Sequence, residues 1–300
     1  MKTRIFLIVL IVVIMLPQLN AQSWWGNTYS TKYLDINNIN IPINNIGGLS
    51  RSTDYSFWEH NSKRYQIVYD HGPWIVGKIN GFIHLAFEQW QSSYSPGPII
   101  NNDAAMNVHP EDSVKYRVYK IGLVDTLNGG KDYLEWPSEY GAEINKYGYP
   151  VIYNHQMIWS CYNSLDSTIG YRKHWNNHID SLPVMPIEIH QTVYASEWVV
   201  PSWLQDVVFF EWTIINKGSE SIESAYFGLW ADIDIYYSMA NYPAVDTSTQ
   251  LGYSWCPLDS NFLNINPYTV GYILKYGPVI SSQGDSAVFK GSKRNNSKNL

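Results

Sequence analysis

Two aspartates near the end of one strand-like stretch are the strongest candidates for metal binding or catalysis. Asp232 and Asp234 lie two positions apart, so on a strand their side chains point the same way, roughly 6.5–7 Å apart. Calcium takes oxygen ligands of this kind from a strand end and the loop that follows it. Asp246, at the far side of the next loop, could complete the set. The pattern predicts calcium bound by Asp232, Asp234 and Asp246, with a solvated strand end as the alternative.

The same stretch is similar in part to the acidic motif of jelly-roll glycoside hydrolases, whose outer carboxylates act as nucleophile and acid/base. Here Asp232, Asp234 and Tyr237 stand at the three motif positions. Retaining hydrolysis needs two carboxyl groups at a defined separation, and a tyrosine cannot replace the acid. We therefore predict no catalytic residues and no cofactor besides calcium. The pattern favours a protein that is not an enzyme, while an active site elsewhere in a longer protein stays open.

Aromatic residues in loop-like segments indicate a second kind of chemistry. Exposed Trp and Tyr rings can stack on sugar rings, and they also anchor protein interfaces. The candidates for stacking on a ligand are Trp24, Trp25, Trp175 and Trp203. The alternative is that most of these rings pack the core and the loops that cover it.

His174 and His178 have the i, i+4 spacing of a helical metal site, but their segment lacks the Glu of H-E-x-x-H, which favours a solvated loop.

The stretch from Gln205 to Asp234 must position the aspartate pair, and its pattern predicts a hairpin. Its first half is rich in β-branched and aromatic residues, which suit an inner strand. Residues 216–219 supply turn chemistry, and the return strand alternates so that Trp230, Asp232 and Asp234 share one face. Asn80-Gly81 is a stronger hairpin signature, because both residues accept positive φ and apolar strands flank them.

The chain begins like a secretory signal peptide. Lys2 and Arg4 precede an apolar run over residues 5–16, and Ala21 offers a small residue at the cleavage point. That run is shorter than the roughly 20 residues that a membrane span needs. We expect residues 1–21 to direct export through the inner membrane, with no transmembrane segment after cleavage. The mature protein would be secreted or held at the cell surface.

The amino-acid composition argues against two classes of protein, those that bind nucleic acids and those that are disordered. Charged residues make up only 15% of the chain and the net charge is −6, without a basic stripe, which argues against nucleic-acid binding. Aromatic residues make up another 15%, which argues against disorder, because large apolar groups can offset chain entropy.

Cys161 and Cys256 could form one disulfide in an exported protein or remain two buried thiols.

Many short strands separated by turn signals predict an all-β fold, an antiparallel β-sandwich of jelly-roll or immunoglobulin-like type with long loops and little helix. Residues 22–60 are Asn-rich and interrupted by Pro, which predicts an irregular N-terminal extension. Residues 61–290 would form the sandwich, as one domain or as two packed sub-domains. Residues 291–300 are polar and show no closing element, as expected of a fragment of a longer protein.

An ordered series of segments between Tyr65 and Leu300 carries a family resemblance. The series is PWIVGKINGFIHLAFEQWQSSYSPGPI, KYRVYKI, YLEWPSEYGA, IEIHQTVYA, VVFFEWTIINKG, YFGLWADID and TSTQLGYSW. It resembles the uncharacterised N-terminal region of large exported bacterial proteins that are cargo of the type IX secretion system. In that family the stretch matching residues 230–234 continues with Gly and further acids, whereas Ile235 and Tyr236 follow here, which weakens the calcium prediction.

The resemblance implies a cell-surface or released protein that continues into further β domains and a C-terminal sorting domain, and it implies no particular activity. We expect an exported, non-catalytic β-sandwich module that serves in attachment, ligand binding or scaffolding. The alternatives are a carbohydrate-binding module that uses exposed aromatics, or the non-catalytic part of a larger secreted hydrolase. The expected partners are the export machinery and a surface glycan or protein.

Overall fold

The computed structural model describes residues 30–50, 55–167, 183–198, 200–236, 238–257 and 268–299. The fold in these ranges is all-β, with antiparallel sheets packed in a sandwich-like arrangement and only short helices, so the predicted fold class is confirmed. Residues 1–21 lie outside the described residues. Within the described residues, no helix has both the length and the apolar character that crossing a membrane requires.

The strands, numbered in chain order, are β1 (Thr31–Leu34), β2 (Ile39–Asn44), β3 (Ser56–His60), β4 (Lys63–Val68), β5 (Asp70–Ile79), β6 (Phe82–Gln89), β7 (Gln91–Ser92), β8 (Ser95–Pro96), β9 (Ile99–Ile100), β10 (Asp103–Ala104), β11 (Tyr119–Gly122), β12 (Gln156–Asn163), β13 (Ile187–Ala195), β14 (Val208–Asn216), β15 (Glu223–Asp232), β16 (Tyr242–Asp246), β17 (Leu251–Trp255), β18 (Thr269–Ile273), β19 (Val279–Phe289) and β20 (Ser292–Asn299). The α-helices are α1 (Ala105–Val108), α2 (Asp125–Asn128) and α3 (Lys131–Leu134), and 3-10 turns span Pro110–Lys115, Ser138–Tyr140, Ser202–Asp206 and Ser238–Ala240.

Four sheets carry most of the fold. The N-terminal sheet has the order β1-β2-β3-β4, and the central sheet has the order β11-β12-β13-β14 with β8 paired to β12. The β5 sheet has the order β15-β5-β6-β7, and the β17 sheet has the order β16-β17-β18. Strands β9–β10 and β19–β20 form separate pairs.

One face of the central sheet packs against two other sheets. Ile158 and Val193 join a buried cluster with residues of the N-terminal sheet such as Ile43. Farther along the same two strands, Tyr162 and Ile189 pack with residues of the β5 sheet. Successive strand residues point to opposite faces, so these alternate positions place both clusters on one side of the central sheet.

The opposite face of the central sheet is covered by the segment that runs from β11 to β12. Met157, Trp159 and Cys161 alternate with the residues of the first face and pack with Trp136 and Ala142. Strands β12 and β13 are therefore covered on both sides, and most of their residues are buried even though several of them are polar.

The predicted Asn80-Gly81 hairpin is confirmed. Ile79 pairs directly with Phe82, which leaves Asn80 and Gly81 as a two-residue turn between β5 and β6. Their φ angles are +52° and +81°, values that Asn and Gly adopt at low cost.

The hairpin predicted from Gln205 to Asp234 is wrong, although both of its strands exist. β14 pairs with β13 in the central sheet, whereas β15 pairs with β5 in the β5 sheet. The intervening polar residues therefore connect two sheets. β14 also lies at the end of the central strand order and is only half-buried, in contrast to the inner strand predicted there.

Two predicted irregular regions contain strands. Within residues 22–60, the described part forms β1, β2 and β3, and Leu34 and Ile43 are fully buried. Pro42 lies inside β2, opposite Tyr33, and did not prevent pairing. Residues 292–299 form β20 against β19, so this polar run does pair. Both predictions relied on polar composition. They failed because a polar stretch can still form a strand when a partner strand pairs with it. The proposed domain boundaries themselves stay predictions.

We expect the substitution Ile189→Ala to lower the free energy of unfolding by about 2–5 kcal/mol, because it opens a cavity under two packed sheets. Ile189 is fully buried, whereas Ile214, directly opposite it on β14, is 41% exposed. The matched control Ile214→Ala should cost less than about 1 kcal/mol, since little transfer energy is lost at a partly exposed site. Urea unfolding of both variants gives the two values. Equal losses would contradict the assignment of β13 as a buried inner strand and of β14 as the partly exposed end strand.

Candidate functional site

The predicted aspartate pair lies at the end of β15, beside a tryptophan from a neighbouring turn. Asp232 pairs with Asp70 across the β15–β5 ladder, and Trp230 precedes it on the same strand face. The Trp90 Nε1 donates a 2.9 Å hydrogen bond to the Oδ2 atom of Asp232. We call Trp90, Trp230, Asp232 and Asp234 the tryptophan–aspartate corner.

Trp90 has a backbone conformation that a tryptophan rarely adopts. Gln89 and Gln91 pair with each other, so Trp90 is the single residue at the tip of the β6–β7 turn, with φ at +48°. Bulky residues in the left-handed region persist only where their surroundings hold them. Here the surroundings are Asp232 and the Trp230 ring, whose centroid lies 5.5 Å away at an interplanar angle of 88°.

The Trp90 ring is held by its contacts and still remains 44% exposed. An edge-to-face pair of indoles is a favourable arrangement, worth about 0.5–1.5 kcal/mol beyond the area that it buries. The two perpendicular rings present aromatic surface in two orientations next to a carboxylate. The strained turn therefore keeps an aromatic ring at the surface in a defined place, which is what stacking on a ligand requires.

Asp234 holds its proton more strongly than an ordinary aspartate does. Asp234 is 8% exposed, and burial, followed by the charge of Asp232, raises its pKa to about 6. Gln66 donates a long hydrogen bond of 3.4 Å to Asp234 Oδ2. The corner thus offers an acceptor at Asp232 and, below pH 6, a donor at Asp234, and both can bind hydroxyl groups.

Asp246 lies in a different local setting from the pair. It ends β16, and its Oδ1 accepts hydrogen bonds from the Ser248 hydroxyl and amide at 2.6 and 2.9 Å. These bonds lower the pKa of Asp246. Among the described residues, Asp232, Asp234 and Asp246 do not form a group whose ligand atoms lie within 4.8 Å of one another. Calcium binding at Asp232 and Asp234 stays a prediction, without Asp246 beside them in this arrangement.

The predicted stacking residues fall mostly outside the described residues. Trp24, Trp25 and Trp175 lie there, as do His174, His178 and Tyr237. Trp203 is described, lies in the 3-10 turn before β14 and is 60% exposed, and its role in stacking stays a prediction. Trp90 was missed, because its type and position suggested only a strand end. Its signal was a single aromatic residue between two glutamines, immediately before the turn-rich SSYSPG segment.

Cys161 and Cys256 are free and buried, so the two-thiol alternative describes this structure. Cys161 has neighbours that the sequence analysis did not connect with it. In the part of the chain that the structure describes, Cys161, Glu188 and His190 form the group of potential metal ligands with atoms within 4.8 Å of one another. The three residues meet because β12 and β13 pair in a register that places Cys161 opposite His190.

An open depression of about 850 Å³ lies elsewhere, over the segment between β10 and β12. Its Arg117 donates hydrogen bonds to Asp132 at 3.1 Å and to Glu135 at 2.8 Å, and Lys32 also contacts Asp132. Burial raises the pKa of Asp132, but bonds from the Lys120 amide and from Lys32 and Arg117 outweigh it and lower that pKa. These charges pair with each other, so the depression is a weaker candidate than the corner.

Comparisons with family models, with curated proteins and with solved structures found no match for this chain.

The raised pKa of Asp234 predicts a defined dependence of stability on pH. The unfolded carboxyl has a pKa of 3.8 and the folded one about 6, so the unfolded state releases its proton first as pH rises. The free energy of unfolding must therefore fall between about pH 4 and pH 6 by this contribution. In Asp234→Asn that fall is absent, so the stability of the variant relative to wild type should rise across this window and level off above it.

Urea unfolding at pH 4, 5, 6 and 7 measures this trend. Asp246→Asn is the matched control. The pKa of Asp246 is lowered, so its contribution to stability changes mainly below the window from pH 4 to pH 6. A constant difference between wild type and Asp234→Asn from pH 4 to pH 7 would show that the Asp234 carboxyl is not held in its protonated form.

Proposed function

We propose that this chain is an exported, non-catalytic β-sandwich module of a cell-surface or secreted protein, and that it binds a carbohydrate at the tryptophan–aspartate corner. The observation that carries this proposal is Trp90, an exposed ring kept at a strained turn by Trp230 and Asp232. A turn with no ligand to bind would favour Gly or Asn at this position, because they adopt positive φ at lower cost.

The chemistry of the corner suits a sugar. The apolar C–H face of a pyranose packs on an indole, and its hydroxyl groups donate to a carboxylate. Asp232 is already oriented by Trp90, so an acceptor lies beside the stacking surface. Rigid β elements carry both groups, which lowers the entropy cost of binding.

Export and surface location rest on sequence features. Lys2, Arg4 and the apolar run after them support a signal peptide, and the ordered segments support a relation to type IX secretion cargo. In such a setting the partners are the export machinery and a surface glycan. A protein that served only as a scaffold would not need an exposed tryptophan at position 90.

We expect Trp90→Asn to weaken glycan binding by about 30-fold or more, because removing a central aromatic contact commonly costs about 2 kcal/mol or more. Asn tolerates the φ of +48°, so this variant removes the ring and keeps the turn. A glycan array with folded protein identifies ligands, and titration calorimetry compares the variants. The matched control is Trp198→Ala, which removes a tryptophan that is 54% exposed and is not among the predicted stacking residues. Absence of any glycan ligand, or unchanged binding by Trp90→Asn, would contradict the proposal.

Glycoside hydrolysis is the second candidate, and one observation favours it. Asp234, with a pKa of about 6, lies near Asp232, and a carboxyl group with a raised pKa beside a second one is typical of acid–base catalysis. Against it, Asp232 is engaged by Trp90, and a tyrosine replaces the third acid of the hydrolase motif.

We expect no turnover when the purified chain is incubated with a broad panel of glycans and reducing ends are measured between pH 4 and pH 8. Asp234→Asn and Asp232→Asn should behave as wild type does. Turnover that disappears in Asp234→Asn and falls in wild type above about pH 6 would replace the binding proposal with a hydrolase.

A further inference from the structure

The second face of the central sheet holds a cluster of three side chains with metal-binding chemistry. Cys161 and His190 lie opposite each other on β12 and β13, and Glu188 is two positions before His190 on the same strand face. Cys161 and Glu188 are buried, and the His190 side chain is 13% exposed. Two paired strands, the most rigid part of the sheet, therefore present sulfur, nitrogen and oxygen ligands to one point.

The separations fit a tetrahedral ion. Zinc binds sulfur at about 2.3 Å and nitrogen or oxygen at about 2.0–2.2 Å, so tetrahedral ligands lie about 3.3–3.6 Å apart. The Nε2 atom of His190 is 2.9 Å from Glu188 Oε1, and all three ligand atoms lie within 4.8 Å of one another. The His190–Glu188 separation must widen by about 0.5 Å, and the other two separations must lie at or close to about 3.6 Å, to give a coordination sphere with one position left for water or another ligand.

The immediate surroundings supply the supporting contacts that a metal site needs. The Ile99 amide donates a 2.8 Å hydrogen bond to Glu188 Oε2, which fixes the carboxylate and leaves Oε1 directed at His190. Gly141 lies against the imidazole, because a Cβ at that position would be 2.2 Å from His190 Cε1. Gly141 has φ at +96°, so glycine meets a steric and a backbone requirement there. Contacts of this kind around the ligands orient them and tune their affinity for the ion.

One cation already lies at the cluster. Lys217 Nζ is 3.3 Å from Glu188 Oε1, and its side chain is 36% exposed. The Lys217 ammonium group therefore compensates the charge of the Glu188 carboxylate. A divalent ion would take over this charge compensation while the flexible Lys217 turns toward solvent.

We propose that Cys161, Glu188 and His190 bind one divalent transition-metal ion of the zinc type. The sulfur and imidazole ligands select such an ion over calcium and magnesium, which prefer oxygen. The ion would fasten the paired strands β12 and β13 beneath the loop that contains Gly141. This site is separate from the carbohydrate site and does not depend on it.

Cobalt and zinc titrations of the purified, metal-stripped full chain test the proposal. We expect one equivalent of Co²⁺ to bind and to give sulfur-to-cobalt charge-transfer absorption, and Zn²⁺ to displace it. Zn²⁺ should also raise the melting temperature. Cys161→Ser should abolish the charge-transfer band, and Glu188→Gln and His190→Gln should each weaken Zn²⁺ binding by about 100-fold or more, since even outer-shell changes cost about 10- to 100-fold.

Cys256→Ser is the matched control, because it removes the other buried thiol and should leave the spectrum unchanged. Circular dichroism of each metal-free variant establishes that it is folded before titration. The proposal is overturned if wild type binds no Co²⁺ or Zn²⁺ stoichiometrically, or if folded Cys161→Ser retains the charge-transfer band. It is also overturned if Asp232→Asn abolishes zinc binding while the Glu188 and His190 variants retain it, which would place the ion at the tryptophan–aspartate corner.

Discussion

The burial of β12 and β13 on both faces is the constraint on which the rest of the structure depends. A polar group in such strands has no access to solvent, and leaving it without a hydrogen bond would cost roughly 1–3 kcal/mol. The Oε1 atom of Gln191 meets this demand by accepting hydrogen bonds from the Tyr162 hydroxyl at 3.0 Å and the Trp212 indole at 2.8 Å, whereas the Gln191 Nε2 and the Ser160 hydroxyl are buried without a hydrogen-bond partner among the described residues. Asn163 donates to the Gly97 carbonyl at 3.0 Å. These bonds determine which aromatic residues can approach the sheet, and hence how neighbouring elements pack.

A neutral histidine extends the same principle to the junction between sheets. His71, fully buried in β5, lies between the Leu49 carbonyl at 2.6 Å and the Tyr272 hydroxyl at 2.8 Å. The geometry is satisfied when Nε2 donates to Leu49 and Nδ1 accepts from Tyr272. Burial lowers the pKa of His71 to about 4, partly opposed by the Leu49 bond, so the ring is neutral at physiological pH. The His71 imidazole thus connects the β5 sheet with Leu49, in the loop after β2, and with Tyr272 of the β17 sheet.

Local patterns predicted local structure well and pairing over long distances poorly. The Asn80-Gly81 turn was predictable, because two adjacent residues determine it. The partners of β14 and β15 were not, since each pairs with a strand distant from the apparent hairpin, and the turn residues between them suit a connection between sheets equally well. The aspartate pair was predicted as a group of polar side chains at a strand end. Trp90, at the end of β6, reaches it only because β15 pairs with β5, and that long-range pairing is beyond the range of any sequence pattern. The Cys161 cluster depends in the same way on the register of β12 against β13.

The two candidate sites use the fold differently. At the tryptophan–aspartate corner, the hydrogen bond from Trp90 holds Asp232 in place, and the charge of Asp232 adds to burial in keeping a proton on Asp234. The corner therefore combines a stacking surface and an acceptor at the surface end of one strand pair, with the buried Asp234 beside them. The Cys161 cluster lies on strands covered from both sides, where rigidity is greatest and access is least. Recognition of a ligand suits the first environment and permanent binding of an ion suits the second, because exchange with solvent is an advantage for recognition and a disadvantage for a structural ion.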